Sequence, residues 1–375
     1  MDHRMALRPQ TPLRFYKRNG EVIQCAIEQE IGRGGSCIVY EVSREAETGD
    51  ITLYRLKELY PYKMNIKRDY EGELIISDDE KSAFVQQQKQ FDSDYSLANK
   101  LFYSGKNYSS TVNYLDIYYL NGTSYSLSTY SSKNTLATYK PETLKECISL
   151  VKHVAYVLNN VHKEGYLYLD TKPDNILVVD GLEKQIQLFD FNSLVSLSEL
   201  KKMNERKNGE IRLSFTKGFA PIELQTSKIK KLGPHTDVFG VGALLFYLIF
   251  GATPCASDCE TDAILDYTNI RFGDSRYDDK LFQSLTEFFN NALAIYYGDR
   301  YQSMDEAYEK LEEIEKFADI TRPCIFSTEI IRPNFVFGRE LDFEKLDQYL
   351  CDDTYNCTFI TGMGGIGKST FIREY

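Results

Sequence analysis

The 375-residue sequence has no C-x-x-C pair, and its four histidines lie far apart. Its eight cysteines, Cys25, Cys37, Cys147, Cys255, Cys259, Cys324, Cys351 and Cys357, are scattered. Cys255 and Cys259 make at most half a zinc site with no second half, so reduced thiols of a cytoplasmic protein are the favoured reading. A Lys/Arg-rich run is also missing. The formal charge of −11 argues against a nucleic-acid-binding surface. Residues Met1 to Tyr16 carry basic side chains but no apolar stretch of the secretory kind. The most apolar run, Val238 to Ala252, is too short to span a bilayer and contains two glycines. It reads as a buried helix, with no membrane partner for the chain. What remains is ordinary for a folded protein of two or three domains, with 42% hydrophobic and 26% charged residues.

The chain is organised around Tyr166-Leu-Tyr-Leu-Asp-Thr-Lys-Pro-Asp-Asn-Ile-Leu-Val178. Asp170 stands two residues before Lys172 and five before Asn175, and Ile176, Leu177 and Val178 supply a buried strand. An acid that accepts a hydroxyl proton, a cation for a transferring phosphate and an amide for Mg²⁺ are the parts of phosphoryl transfer, which rests on positioning and charge neutralisation. A surface turn is the plain alternative, because Asp, Lys, Pro and Asn all favour turns. The stretch resembles the catalytic loop of protein kinases, H-R-D-x-K-P-x-N. Tyr168 and Leu169 replace the family's His and Arg. The missing arginine implies that activity does not need activation-loop phosphorylation, or that control comes from elsewhere.

Other stretches resemble protein kinase motifs in the family's order. Residues 1–20 form a loosely held lead-in with Pro9 and Pro12. Ile31-Gly-Arg-Gly-Gly-Ser-Cys-Ile-Val-Tyr-Glu-Val42 matches G-x-G-x-x-G-x-V at Gly32, Gly34 and Val39, with Cys37 for the third glycine. Such glycines let backbone N–H groups approach phosphates. A simple hairpin or a dinucleotide-binding turn is also open, but the following Ile38–Val42 reads as a strand rather than the helix a dinucleotide site needs. In the alternating stretch Ile51–Leu59, Lys57 resembles the lysine that pairs with the α- and β-phosphates; an exposed strand lysine is the alternative. Arg55 stands where the family keeps a small residue against the adenine. Tyr60 to Glu80 reads as a polar, irregular insertion, followed by a helix over 82–101. On that helix Asp94 falls where the acidic partner of Lys57 is expected, with solvated helix charge, Glu73 or Glu80 as alternatives. Strands over 112–120 and 124–130 turn at Asn121-Gly122. Ser128, Thr129 and Tyr130 then form the hinge whose backbone holds the adenine.

Leu144, Cys147, Ile148, Val151, Val154, Ala155, Leu158 and Val161 make one helical stripe leading to the catalytic loop. Ile186-Gln-Leu-Phe-Asp-Phe-Asn192 resembles the D-F-G element, so Asp190 with Asn175 would hold Mg²⁺. Asn192 replaces the glycine and tolerates left-handed geometry. Thr216-Lys-Gly-Phe-Ala-Pro-Ile-Glu223 resembles the end of the activation loop of bacterial kinases, with Thr216 bonded to Asp170 and Lys172. The resemblance implies a buried Glu223–Arg300 pair and a brace from Asp237 to the catalytic loop. A closing helix begins after Ser303, capped by Ser303 and Glu306.

After a linker over 319–334, Gly362-Met-Gly-Gly-Ile-Gly-Lys-Ser369 fits G-x-x-x-x-G-K-[ST] without mismatch. Gly362 and Gly367 shape the loop, Lys368 reaches phosphates and Ser369 ligates Mg²⁺. With Phe-Gly-Arg-Glu340, the segment resembles the start of a STAND or NB-ARC-like ATPase, implying a longer protein of which this is the amino-terminal part. The expected fold is α+β: a two-lobe protein kinase with a β-rich N-lobe over 21–131 and a helical C-lobe over 132–318, then the linker and an incomplete P-loop α/β segment over 335–375. The implied activity is a Ser/Thr protein kinase using ATP and Mg²⁺, acting on a protein hydroxyl that its own chain can supply. The alternative is a pseudokinase that senses or scaffolds for the ATPase. The kinase–STAND pairing suggests bacterial signalling or defence.

Overall fold

Alternating apolar positions make the first third of the chain a sheet, and the structure, a computed structural model, shows which residues fall on which face. It describes residues 2–17, 21–46, 48–104, 114–132, 134–179, 185–205, 213, 215–260, 263–268, 270, 272, 277, 279–318, 339–350, 360–361 and 371. Six antiparallel strands stand in the order β1-β2-β3-β4-β8-β7. They are β1 (Pro12–Tyr16), β2 (Val22–Arg33), β3 (Cys37–Glu45), β4 (Ile51–Leu59), β7 (Tyr114–Leu120) and β8 (Thr123–Thr129). Ile38, Tyr40 and Val42 of β3 and Leu56 of β4 are fully buried in one core with Leu13, Phe15, Ile23 and Ile27. By the two-residue period of a strand, Val39, Glu41, Arg55 and Lys57 face the other way.

Glu58 shares the core face with Leu56 and is fully buried. Arg68 meets it at 2.6 Å, and the hydroxyls of Tyr40 and Tyr125 donate to it at 2.9 and 2.5 Å. This buried carboxylate therefore has partners for both oxygens, which a charge out of water requires. Arg68 belongs to a small hairpin, β5 (Ile66–Arg68) with β6 (Leu74–Ile76). The expected irregular insertion is thus partly ordered, because its arginine docks on Glu58.

The expected loose lead-in is also corrected. β1 pairs with β2 from Pro12↔Ala26 to Tyr16↔Val22. Before it, Arg4 is buried; it donates to the carbonyls of Gly34 at 2.8 Å and Tyr60 at 2.5 Å. Five carbonyl and carboxylate acceptors around one guanidinium are a reason for this segment to be held.

Helix α1 (Lys81–Ser104) puts Phe84 and Phe91 into the sheet core and Ala98 into the core of the helical lobe. Helix α2 (Leu144–Lys163) buries the whole predicted stripe from Leu144 to Val161, and its first turn is capped by Thr143 Oγ1 accepting from the Glu146 amide at 3.1 Å. Helix α5 (Pro234–Phe250), the most apolar run, is the buried helix expected. It passes so close to α6 (Asp279–Ala292) that a Cβ at Gly242 would lie 2.8 Å from the Ala292 Cβ. The remaining elements are short strands β9 (Tyr166–Leu167), β10 (Ile176–Val179), β11 (Gln185–Leu188) and β12 (Val195–Ser196), and helices α3 (Leu197–Glu205), α4 (Ile222–Gln225) and α7 (Met304–Glu315). Among the described residues no helix is long and apolar enough to cross a membrane.

Residues from Ile320 form a separate unit. Within it, α8 (Glu340–Leu350) carries Phe343, whose ring stacks on Phe371 at 4.6 Å. Gly362, Gly367, Lys368 and Ser369 lie outside the described residues, as does the linker over 319–334.

Candidate active site

Antiparallel pairing builds the site. β10 and β11 pair Ile176 with Leu188, and the Phe189 amide donates to the Asn175 carbonyl at 3.1 Å. The loop carrying Asp170 and the turn carrying Asp190 are therefore fixed side by side. Asp237, 1% exposed on α5, accepts the backbone N–H groups of Tyr168 at 2.8 Å and Leu169 at 2.7 Å. His162 Nε2 meets the same carboxylate at 2.8 Å. The brace expected of Asp237 is present, and His162 is a member that the sequence reading missed. Leu169 sits at φ 62°, a left-handed conformation that a branched side chain adopts only when its surroundings impose it. The two bonds to Asp237 supply that constraint.

Asp170 is buried, yet its carboxylate is surrounded by donors. Thr216 Oγ1 donates to Oδ1 at 2.7 Å, Asn175 Nδ2 to Oδ2 at 3.1 Å, and Lys172 Nζ lies 2.8 Å from Oδ2. Lys172 also donates to Thr216 Oγ1 at 3.1 Å. Asn175 turns its Nδ2 to Asp170, including the Asp170 carbonyl at 3.0 Å, the orientation that leaves its oxygen for a cation. Thr216 reaches Asp170 because Glu223 on the following α4 is clamped to Arg300, with Nη1–Oε1 at 2.6 Å and both side chains buried.

Lys57 pairs with Val39 in the β3–β4 register and brings Nζ to 2.8 Å from Asp190 Oδ1. This corrects the expected pairing with Asp94. That carboxylate accepts from Gln90 at 2.7 Å on its own helix. Burial pushes its pKa up to about 6 against the hydrogen bond from Gln90 and the charge of Lys57, while Asp190 adds to the rise. Aspartate is a methylene shorter than glutamate, and Asp190 is the carboxylate that reaches the lysine. A second correction concerns the turn after it. The left-handed residue is Asp190 itself, at φ 62°, whereas Asn192 lies inside a 3-10 turn over Phe191–Ser193.

Gly32 is paired with Val39 near the end of β2, and the Gly34 amide donates to the Cys37 carbonyl at 2.9 Å to close the turn. A Cβ at Gly32, Gly34 or Gly35 would meet nothing within 4 Å, so packing makes no demand for glycine there. Cys37 is buried, and burial pushes its thiol up to about 12. At the far end, Thr129 pairs with Tyr54, and Tyr130 follows where the chain leaves the sheet. Burial, then a hydrogen bond to Glu41, pushes the Tyr130 hydroxyl up to about 12. Between these ends lies the Arg55 guanidinium, its carbon 4.8 Å from the Phe189 ring centroid and 5.5 Å from that of Tyr130. Glu41 and Phe189 were not anticipated. A carboxylate inside the apolar run Ile38–Val42 was the available signal for Glu41.

Comparison with known proteins agrees with this architecture. The sequence matches the protein kinase domain family over residues 25–310, three quarters of the chain, and the chain belongs to that family. Among curated relatives, smooth-muscle myosin light chain kinase of Gallus gallus is 25% identical over 156 residues, covering 40% of this chain and 8% of that protein. The serine/threonine-protein kinase STE20 of Eremothecium gossypii is 23% identical over 308 residues, covering 78% of this chain and 28% of that protein. Mouse dual specificity protein kinase TTK is 30% identical over 112 residues, or 28% and 12% of the two chains. The chain thus spans between 8% and 28% of the length of these relatives. In fold it is similar to the solved structure titled PpkA-294 apo form, with a TM-score of 0.57 at 24% identity, covering 76% of this chain and 95% of that one.

Proposed function

We propose that the chain is a Ser/Thr protein kinase that transfers the γ-phosphoryl group of ATP to a protein hydroxyl. The observation that carries the reading is the Asp170 carboxylate, held by Thr216, Asn175 and Lys172 at 2.7–3.1 Å. A substrate hydroxyl at Oδ1 would take the place of the Thr216 hydroxyl and pass its proton to the carboxylate as the new O–P bond forms and the bond from the γ-phosphorus to the bridging oxygen breaks, releasing ADP. Lys172 would neutralise the transferring oxygens, and Lys57 the charge nearer the nucleotide. Thr216 would shape the groove for the acceptor. The open backbone at Gly32 and Gly34, with Val39 beside it, suits close approach of phosphates.

The Asp190 carboxylate and the Asn175 amide oxygen are hard donors of the kind that suit Mg²⁺, which takes only a few protein ligands. When bound there, the ion would neutralise phosphate charge. Asp190 would have to share its carboxylate between Lys57 and the ion, and Asn175 would keep its bond to Asp170. The preference for Ser/Thr over Tyr rests on Lys172 two residues after Asp170, and on a relative named a serine/threonine kinase. Thr129 and Tyr130 would lie along the base, and Asp94 near Lys57. Glu223, Asp237 and Arg300 hold the frame. The P-loop motif of Gly362, Gly367, Lys368 and Ser369 supports a second nucleotide-binding module of STAND type joined to the kinase, and the same polypeptide would be one source of the kinase substrate.

The test is transfer of label from γ-labelled ATP with Mg²⁺ to a generic protein acceptor and to the chain itself. Asp170→Asn is the control, and label should fall at least about a hundredfold, the usual contribution of a positioned base. Equal labelling by both chains would sink the assignment of Asp170.

A further inference from the structure

The space between the Lys57–Asp190 pair and the point where Tyr130 leaves the sheet is already occupied by protein. Arg55 and Lys57 are two residues apart on β4, so both side chains leave the same face, about 7 Å apart. Val39 and Glu41 stand opposite them on β3. Lys57 turns to Asp190 and marks the anionic end. Arg55 turns toward the other end, where its guanidinium sits over two rings: Phe189, which immediately precedes Asp190, and Tyr130. A planar cation on aromatic faces is a favourable, well-defined arrangement. It fills the wedge that a planar base would need. Tyr130 is in turn tied to Glu41, the residue in register with Arg55. Arg55, Phe189, Tyr130 and Glu41 thus lie together as one group.

We propose that Arg55 is a specificity-determining plug in the base slot of this nucleotide site. The inference rests on the kinase reading above and says how that site takes its nucleotide. The polyphosphate is held by Lys57, while the base gains little because it competes with the guanidinium for the Phe189 and Tyr130 rings. ATP, GTP and tripolyphosphate therefore bind the native chain with similar affinity. Removing the guanidinium frees the rings and lets adenine stack.

The experiment is calorimetric titration of the full 375-residue chain with ATP, GTP and inorganic tripolyphosphate, each with Mg²⁺, on four proteins. These are the native chain, Arg55→Ala, Arg55→Met and Lys57→Ala, each checked for a native melting transition. Arg55→Ala should bind ATP about 10- to 100-fold more tightly than the native chain, the range a base gains by stacking on an aromatic face. Its affinity for tripolyphosphate should stay within about threefold of native, because the phosphate end is untouched. Arg55→Met keeps the slot filled and should resemble the native chain. Lys57→Ala should weaken all three ligands. The plug is overturned if Arg55→Ala binds ATP no more tightly than native, or if Arg55→Met tightens ATP as much as Arg55→Ala does. In the first case a loss in Lys57→Ala leaves the kinase reading standing. If no protein binds any of the three ligands, both the plug and the nucleotide site fall together.

Discussion

Replacing Arg300 by methionine should be among the most damaging single changes in the helical lobe, and its cost can be worked from the structure. Arg300 is 3% exposed and Glu223 2%. The guanidinium donates to both Glu223 oxygens, at 2.6 and 3.3 Å, to the carbonyl of Ala294 at 2.7 Å and to that of Ile295 at 3.2 Å. Its carbon lies 5.0 Å from the Phe239 ring centroid. Methionine fills much of the volume but strands a buried carboxylate and two carbonyls. Breaking one side of a buried pair costs about 3–5 kcal/mol. Against a total stability of about 5–15 kcal/mol, the variant folds but with a narrow margin. With a urea m-value of about 3 kcal/mol/M, the midpoint falls by about 1–1.7 M. The companion is the double variant Glu223→Leu, Arg300→Met. It removes the stranded charge and should recover roughly half of the loss, the rest being the two carbonyls at about 1–3 kcal/mol. Circular dichroism in urea at two salt concentrations reads all of this, and the loss should not shrink with salt, because the pair is shielded from it. A midpoint shift below about 0.3 M for Arg300→Met, or a double variant no more stable than the single, would refute the argument that desolvated charge governs this site.

Asp94 has a folded pKa of about 6, above its ordinary value of 3.8. Its protonated form is thus favoured in the folded chain; the associated stability is complete below about pH 4 and lost as pH rises through 6. Asp94→Asn should accordingly gain on the order of 1–2 kcal/mol over native at pH 7 and nothing at pH 4, and urea midpoints that differ equally at both pH values would contradict this. Gly122 has φ +70°, and a Cβ there would lie 2.8 Å from the Leu74 carbonyl, whereas Gly165, at φ +87°, has open space. Both alanine variants incur about 1 kcal/mol of backbone strain, but Gly122→Ala should cost about 1–2 kcal/mol more; equal denaturation midpoints would remove the steric part of the explanation.

Much of the site was legible because its parts are local. Asp170, Lys172 and Asn175 fall within six residues, and the spacing alone brings them together. The α2 stripe was legible because a helix repeats every 3.6 residues and all eight stripe positions are buried. What escaped notice involves partners far apart in sequence. Glu58 sits in an alternating strand, and only the docking of Arg68, Tyr40 and Tyr125 explains its burial. Lys57 reaches Asp190, 133 residues away, and no local pattern distinguishes that carboxylate from Asp94. The left-handed turn was expected at Asn192 on side-chain propensity, but tertiary constraint places it at Asp190. Residues 1–20 read as a loosely held lead-in because the carbonyls that hold Arg4, at Gly34, Cys37 and Tyr60, lie 30 or more residues further along the chain.

That Arg4 anchor has a thermodynamic consequence. Arg4 donates to Gly34 and Cys37 carbonyls, and Arg33 donates back to the Arg4 carbonyl at 2.8 Å. The glycine turn and the amino-terminal strap are therefore closed by the same bonds, in both directions. Neither can open without breaking the other's contacts, so the two share one local unfolding free energy. The Gly34 amide, bonded to the Cys37 carbonyl, and the Leu7 amide, bonded to the Tyr40 hydroxyl, should therefore exchange with one common opening free energy. A ligand that stills the turn would quiet the strap by the same amount.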